Sequence, residues 1–384
     1  MQAVRHVLRL LAALAVVVLA ALPAAAFETK ARAAIVIDFN SGTVLLEKNA
    51  DAPLPPASMS KLMTVYLVFE ALRDGRLHLD DRLPVSEHAM SYQGSSMFLT
   101  TRDRPTVQEL ILGVIVLSGN DAAAVLAEAL SPDGTEAGFA RLMTERARQL
   151  GMTRSHFANA NGWPDPGQVM SVRDLATLAM HLIRDFPEYY RWFSVREWAF
   201  DNRVPSNRFN RNPLLALDIG ADGLKTGHTS EAGYGLVGSA VRGDRRVVFV
   251  LSGLGSERER ASEAERIVNW AFRQFVEKKI VDAGRELARL PVALGDAGDV
   301  PVTVDGDVSA LVSAFQSREM RAELKARLPV IAPVTAGQKL GRLVIARDEL
   351  PPLEVPVVAA ADVGRGGVTV RLSAAVDRLR GRQP

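Results

Sequence analysis

Apolar and polar residues alternate near the beginning of the chain in the pattern of a β-hairpin. Ala33–Asn40 (AAIVIDFN) and Thr43–Lys48 (TVLLEK) are predicted strands, and Asn40-Ser41-Gly42 is typical of the turn between them. A hairpin this early needs further strands beside it, because two strands alone bury too little apolar surface.

A long apolar run follows the hairpin and predicts a buried helix. Pro53, Pro55 and Pro56 exclude regular structure as far as Ser58. From Met59 to Leu72 almost every residue is apolar, and Asp74-Gly75 provides a stop. We therefore predict a helix that is buried on most of its sides.

Helical patterns continue through the middle of the chain, and two-residue periodicity returns after residue 220. The predicted helices are Val107–Leu117, Ala122–Leu130, Thr135–Leu150 and Ser171–Phe193, with irregular segments at Arg82–Asp103 and Ser155–Gln168. The predicted strands are Leu224–Thr229, Tyr234–Val241 and Arg246–Leu254, followed by a helix over Glu257–Phe275. Strands at both ends of a helical middle predict an antiparallel sheet with helices on it, which is an α+β fold.

The character of the sequence changes again after residue 275. Short valine-rich runs are separated by proline and glycine, so we predict a small all-β domain over residues 276–371 after a first domain over 27–275. A short basic tail, 372–384, carries an amphipathic stripe at Leu372, Ala375, Val376 and Leu379. It predicts either weak peripheral contact with an anionic inner membrane or a frayed terminus.

The first 26 residues have the features of a secretory signal peptide. A basic start with Arg5 and Arg9 precedes an apolar run and Ala24-Ala25-Ala26, so cleavage is expected before Phe27; a retained membrane anchor is the alternative. Removing this segment takes the charge from +2 to 44 − 44 = 0, which gives no indication of nucleic-acid binding. The chain has no cysteine, which excludes thiol catalysis and thiolate metal sites and is compatible with export to a bacterial periplasm.

Ser58 and Lys61 form the first candidate for chemistry. Residues three apart share a helical face, so the lysine can reach the serine hydroxyl and act as its base. Burial in an apolar helix lowers a lysine pKa towards the neutral amine that a base requires. The pair taken alone is also explained by a capping serine followed by a solvated lysine.

Two further motifs follow in order, Ser118-Gly119-Asn120 between two helices and Lys225-Thr226-Gly227 on a strand. Ser118 can relay a proton to a leaving amine, and the Asn120 amide can hold Lys61 and a substrate carbonyl. Lys225 offers a cation for a substrate carboxylate and, being close to Lys61, is expected to lower the pKa of Lys61 further. Gly227 is expected to leave room for a peptide lying along the strand.

The positions of the first and third motifs also predict an oxyanion hole. The backbone N–H of Ser58 is expected to be one donor and the backbone N–H of His228 the other. Each motif alone also has a structural explanation, because Asn120 is a good helix cap, Ser118 is a common turn residue, and Lys225-Thr226-Gly227 could be a solvated strand edge approaching a turn.

The three motifs in this order occur in penicillin-binding proteins and class A β-lactamases. The chain resembles the periplasmic D-alanyl-D-alanine carboxypeptidases, the low-molecular-mass penicillin-binding proteins, from about Ala33 onwards. Other similar segments are Asp38–Gly42, Pro56-Ala57-Ser58, His156-Phe157, Asn161-Gly162, Pro166-Gly167-Gln168 and Lys225–Thr229.

The resemblance implies a penicillin-binding-protein-like transpeptidase domain followed by the small β domain. It implies peptidoglycan stem peptides as substrates, acylation of Ser58 by β-lactam antibiotics, and no metal or cofactor. It also implies that Thr226, His228, Thr229 and Arg260 belong to the substrate site, with Thr229 and Arg260 assisting Lys225; a helix-surface arginine is the alternative for Arg260. The tail is weaker than is usual in this family, which leaves membrane attachment open.

Three other functions compete with this one. A class A β-lactamase needs a glutamate in the region of Met152–Gln168, which contains none, so rapid penicillin hydrolysis is not expected. DD-endopeptidase activity on peptidoglycan cross-links would use the same residues. A non-catalytic penicillin-binding scaffold of the cell wall would not need every catalytic group.

Overall fold

Five antiparallel strands form the central sheet of the N-terminal part of the protein. The computed structural model describes residues 27–315, 320–370 and 372. The strands are β1 (Ala33–Asp38), β2 (Val44–Lys48), β3 (Ala221–Thr229), β4 (Gly233–Arg242) and β5 (Arg245–Leu254), in the order β2-β1-β5-β4-β3. Ile35 of β1 pairs with Val250 of β5, so the predicted hairpin joins the late strands in one sheet.

Helices cover both faces of this sheet, which is why β1 is buried along its whole length. They are α1 (Lys61–Arg73), α2 (Glu87–Ser91), α3 (Val107–Leu112), α4 (Asn120–Leu130), α5 (Glu136–Gln149), α6 (Val172–Asp185), α7 (Pro187–Tyr190) and α8 (Glu257–Gln274). Ile35 and Val250 face the core built with α1 and α4–α6, whereas Val36 and Phe249 face α8 on the other side. The predicted α+β fold is confirmed.

Two predicted helices differ from the structure, each for a local reason. The predicted helix Ser171–Phe193 ends at Asp185, because Pro187 cannot donate to the helical ladder and opens the separate turn α7. The predicted helix Val107–Leu117 is α-helical only to Leu112 and then widens into a π turn over Gly113–Leu117. This second departure lies directly before Ser118.

The C-terminal part is all-β, as predicted. A six-stranded sheet has the order β10-β12-β13-β8-β7-β11, and β6 pairs with β9. The strands are β6 (Phe275–Val281), β7 (Ala288–Ala293), β8 (Asp299–Thr303), β9 (Val308–Ser313), β10 (Ala322–Ala326), β11 (Val330–Ile331), β12 (Lys339–Arg347) and β13 (Leu350–Ala359). Val300, Ile345 and Val357 belong to a separate apolar core here.

The two chain ends fall largely outside the described residues. These include the predicted signal peptide, residues 1–26, and all of the predicted tail except the exposed Leu372. Among the residues that the structure describes, no helix has both the length and the apolar character needed to cross a membrane.

Candidate active site

Ser58 lies in a 3₁₀ turn, Ala57–Ser60, immediately before α1. Ser58 is partly exposed, whereas Ala57, Met59 and Ser60 are buried, so its hydroxyl faces the cleft from a fixed turn. The Ser60 hydroxyl donates to the carbonyl oxygen of Ala57 at 3.0 Å and closes the turn on itself.

Lys61 is fully buried and makes three hydrogen bonds with its amino group. Its Nζ lies 2.8 Å from Ser58 Oγ, 2.7 Å from Asn120 Oδ1 and 2.5 Å from the carbonyl oxygen of Asn161. The two carbonyl oxygens can only accept hydrogen bonds. A neutral amine therefore uses both of its N–H groups on them, and its lone pair is directed at the Ser58 hydroxyl.

The surroundings favour this neutral form. Burial is the main cause that lowers the pKa of Lys61 from 10.5 to about 7, and the Arg211 guanidinium adds to it, while Asp121 and Glu136 oppose it. The sequence predicted the lowering by burial but assigned the charge effect to Lys225. In the structure the charge effect comes from Arg211, and it is instead the Lys225 pKa that Lys61 lowers.

The π turn before Ser118 sets the geometry of the second motif. It ends at Ser118 in the left-handed conformation (φ 61°), and Gly119 is the cap of α4, so the Asn120 side chain is not used for capping. Asn120 Nδ2 donates to the carbonyl oxygen of Gln93 at 2.8 Å, which fixes its Oδ1 towards Lys61. The capping alternative for Asn120 is therefore wrong.

Lys225 joins the third motif to the second. Its Nζ donates to Ser118 Oγ at 2.8 Å and to the carbonyl oxygen of Thr226 at 3.0 Å. Both Lys225 and Thr226 are buried in β3. Burial first, and then the charges of Lys61, Arg211 and Arg260, lower the Lys225 pKa well below its ordinary value. The three motifs thus form one connected cluster. Although β3 is an edge strand of the sheet, Lys225 is buried in it, so the explanation of Lys225 as part of a solvated strand edge is wrong.

Comparisons with known proteins decide the family. Residues 20–254 match the peptidase S11 family, D-alanyl-D-alanine carboxypeptidase, and residues 275–365 match the C-terminal domain of penicillin-binding protein 5. The chain belongs to the S11 D-alanyl-D-alanine carboxypeptidase family. It is 34% identical to D-alanyl-D-alanine carboxypeptidase DacA of Haemophilus influenzae over 88% of this chain and 86% of that protein.

Solved structures of family members agree with this assignment. The D-alanyl-D-alanine carboxypeptidase DacD of Francisella tularensis is 28% identical, with a TM-score of 0.77 over 90% of this chain and 96% of that one. Penicillin-binding protein D2 of Listeria monocytogenes, solved in an ampicillin-bound form, is 34% identical, with a TM-score of 0.58 over 64% of this chain and 99% of that one.

Within this S11 site, Gly227 packs closely against the turn that carries Ser58. A Cβ added there would lie 2.9 Å from the carbonyl oxygen of Pro56 and 3.0 Å from Met59 Cγ. The missing side chain therefore lets β3 approach the turn that carries Ser58. The role predicted for Gly227 beside a substrate peptide stays a prediction.

The residues after Gly227 lie at the open end of β3. The exposed His228 ring stacks on Tyr234 with centroids 3.9 Å apart, and Thr229 is partly exposed, with its Oγ1 accepting from the Ala232 N–H at 3.0 Å. The roles predicted for both residues in substrate binding stay predictions, as does the oxyanion hole at Ser58 and His228.

Arg260 is not a surface arginine. Its side chain is 4% exposed, pairs with Glu257 at 2.7 Å and lies over the Tyr234 ring at 5.8 Å. Its Nη2 also reaches the carbonyl oxygen of Arg211 at 3.5 Å, and its charge contributes to lowering the Lys225 pKa. The surface alternative is therefore wrong, and the arginine lies on the Lys225 side of the site.

Sequence reasoning missed three contributors to the site. The sequence indicates Asn161 only through the family resemblance, yet its carbonyl oxygen accepts a hydrogen bond from Lys61. Arg211 is exposed and donates to Ser95 Oγ beside the cleft. Asp121 accepts from the backbone of Met97 at 2.9 Å and Leu99 at 3.0 Å, which ties that loop to α4. Only the position of Asp121 next to Asn120 offered a signal.

Proposed function

We propose that this protein is a serine-type carboxypeptidase that removes the terminal D-alanine from D-alanyl-D-alanine stem peptides of peptidoglycan. The observation that carries the proposal is the Lys61 amino group, held by two carbonyl oxygens with its remaining position on Ser58 Oγ. That arrangement activates a serine nucleophile without a histidine.

The positions of the groups support the following reaction. Ser58 Oγ attacks the carbonyl carbon of the penultimate D-alanine while Lys61 takes the hydroxyl proton. The C–N bond then breaks, and Ser118, bonded to Lys225, is placed to pass a proton to the leaving amine. Water hydrolyses the ester on Ser58 and releases the shortened stem. Lys225, with Arg260 and Thr229 beyond it, receives the terminal carboxylate of the substrate.

The same chemistry predicts acylation by β-lactams, for which the ampicillin-bound Listeria relative is the precedent. We expect the penicilloyl ester to be long-lived. Asp165, an acid in the Met152–Gln168 region, is exposed, and its Oδ1 accepts from the Gly167 N–H at 2.7 Å. The buried Glu136 has both carboxylate oxygens bonded to protein groups. Neither carboxylate is poised to activate water.

Processing before Phe27 and action in the periplasm are part of the proposal, and they rest on the sequence of residues 1–26. Weak contact of the tail with the inner membrane rests likewise on its amphipathic stripe. The domain limits 27–275 and 276–371 are supported by the end of α8 at Gln274 and the beginning of β6 at Phe275.

The test compares the wild type with Ser58→Ala and with Ser60→Ala, a neighbouring hydroxyl in the same turn. Intact mass after benzylpenicillin should show one penicilloyl adduct on the wild type and on Ser60→Ala, and none on Ser58→Ala. D-alanine release from a diacyl-Lys-D-Ala-D-Ala peptide should follow the same pattern. An adduct without D-alanine release by the wild type would favour a penicillin-binding scaffold, and release by Ser58→Ala would exclude the mechanism.

A further inference from the structure

Glu136, the first residue of α5, is a buried carboxylate close to the site that the mechanism above does not use. Its side chain is 6% exposed and lines a cavity of about 500 Å³ beside Trp163. One oxygen accepts from the Ala160 N–H at 2.8 Å. The other accepts from the Tyr92 hydroxyl and contacts His88 Nε2, both at 2.7 Å.

Ala160 is fixed from a second side by the helix that carries Lys61. Thr64, one turn after Lys61 in α1, donates its hydroxyl to the carbonyl oxygen of Ala160 at 2.6 Å. Both backbone polar groups of Ala160 are therefore held by side chains. The next carbonyl along the chain, that of Asn161, is the one that accepts from Lys61 at 2.5 Å.

We propose that Glu136 is a positioning residue for Lys61, acting through the Ala160 N–H to hold the Asn161 carbonyl where it orients the amine towards Ser58. The inference rests on the proposed role of Lys61 as the base. Moving that carbonyl lets the amine rotate, so its lone pair no longer faces the hydroxyl. A misplacement of about 1 Å in such a group costs about 10²-fold in rate.

Glu136 also acts on Lys61 through its charge. Four charged groups face the amine from the surrounding elements: Glu136 from α5, Asp121 from α4, Arg211 from the loop before β3, and Lys225 from β3. The two acids raise the Lys61 pKa and Arg211 lowers it. The acid limb of the pH profile is the range in which the acylation rate falls as the pH is lowered. Replacing Glu136 by a neutral residue should therefore move this limb to lower pH. Replacing a residue with a purely structural role would not cause that change.

The experiment compares four variants with the wild-type protein. Glu136→Gln keeps an acceptor for the Ala160 N–H and removes the charge, whereas Glu136→Ala removes both. Thr64→Val removes the opposite anchor of Ala160. Glu128→Gln is the matched control, because Glu128 lines the same cavity but bonds to Ser86 Oγ, at 2.8 Å, and not to Ala160. The readouts are benzylpenicillin acylation from pH 5 to 9, kcat and KM for the diacyl tripeptide, and Tm.

We expect Glu136→Ala to lose about 10²-fold in acylation rate and in kcat with little change in KM. Glu136→Gln should keep its rate within about tenfold at pH 8 and show its acid limb at lower pH. Thr64→Val should lower kcat, as Glu136→Ala does, and Glu128→Gln should have the kinetics of the wild type.

Wild-type kinetics in Glu136→Ala would overturn the proposal. So would an unmoved acid limb in Glu136→Gln, or an activity loss in both Glu136 variants that only follows a lower Tm. If the wild type itself released no D-alanine and formed no adduct, the proposed function would fail, which is a separate result from a failure confined to the Glu136 variants.

Discussion

The pKa of Lys61 makes a quantitative prediction about the pH dependence of acylation. A fall from 10.5 to about 7 favours the neutral amine by about 5 kcal/mol relative to a lysine in water. At pH 8 roughly 90% of Lys61 is then neutral, and at pH 5 roughly 1%. Since only the neutral amine accepts the Ser58 proton, acylation should fall about 10²-fold between these two values.

The assay is the second-order rate of acylation by a fluorescent penicillin, measured from pH 5 to 9. The acid limb should have an apparent pKa near 7. Lys61→Arg is the matched variant, because a guanidinium keeps its proton in this range. Its acylation rate at pH 8 should be about 10³-fold below that of the wild type, and the rate should show no acid limb. A wild-type rate that is flat from pH 5 to 8, or a limb near pH 10, would refute the reasoning.

Two further predictions test the packing and charge of the site. Gly162→Ala should lower the free energy of unfolding by about 3 kcal/mol or more, because φ is +79° and a Cβ would lie 2.0 Å from the carbonyl oxygen of Ala57. Gly243→Ala is the control, because Gly243 has φ +59° and nothing within 4 Å of an added Cβ, so backbone strain alone should lower its free energy of unfolding by about 1 kcal/mol. Equal losses of unfolding free energy in the two variants, measured by urea unfolding, would contradict the packing argument. Lys225→Gln should reduce the preference for a peptide with a free carboxylate over its C-terminal amide by about 10- to 100-fold in kcat/KM, and an unchanged preference would exclude Lys225 as the carboxylate site.

The sequence predicted the elements that carry chemistry better than it predicted the geometry around them. The apolar run after Ser58 correctly indicated a buried Lys61, because a helix buried on most sides leaves a lysine at its beginning no route to solvent. The π turn over Gly113–Leu117 could not be predicted, since its residues suit an α-helix equally well. Its effect is local, and it leaves Ser118 with a positive φ at the point where the hydroxyl meets Lys225.

The groups that sequence reasoning missed act through the backbone or from distant segments. Asn161 binds Lys61 with its carbonyl oxygen, a group that every residue type possesses, so its identity gives no signal. Glu136 and Thr64 meet at Ala160, although they lie 24 and 96 residues from it in the chain. The close packing of Gly227 against Pro56 becomes apparent only once β3 is placed against the Ser58 turn.

The cationic cluster around the cleft suits a site that is proposed both to deprotonate a serine and to bind a carboxylate. Burial lowers the pKa of both lysines; the charge of Arg211 adds to this effect at Lys61, and the charges of Lys61, Arg211 and Arg260 add to it at Lys225. A substrate carboxylate at Lys225 supplies the missing negative charge there, so we expect Lys225 to regain its proton on binding. Lys61 is held by two carbonyl oxygens, which suit a neutral amine that donates a hydrogen bond with each of its two N–H groups. Burial and the Arg211 charge therefore favour the neutral base, while the Arg211 and Arg260 guanidinium groups give the empty site its attraction for an anion.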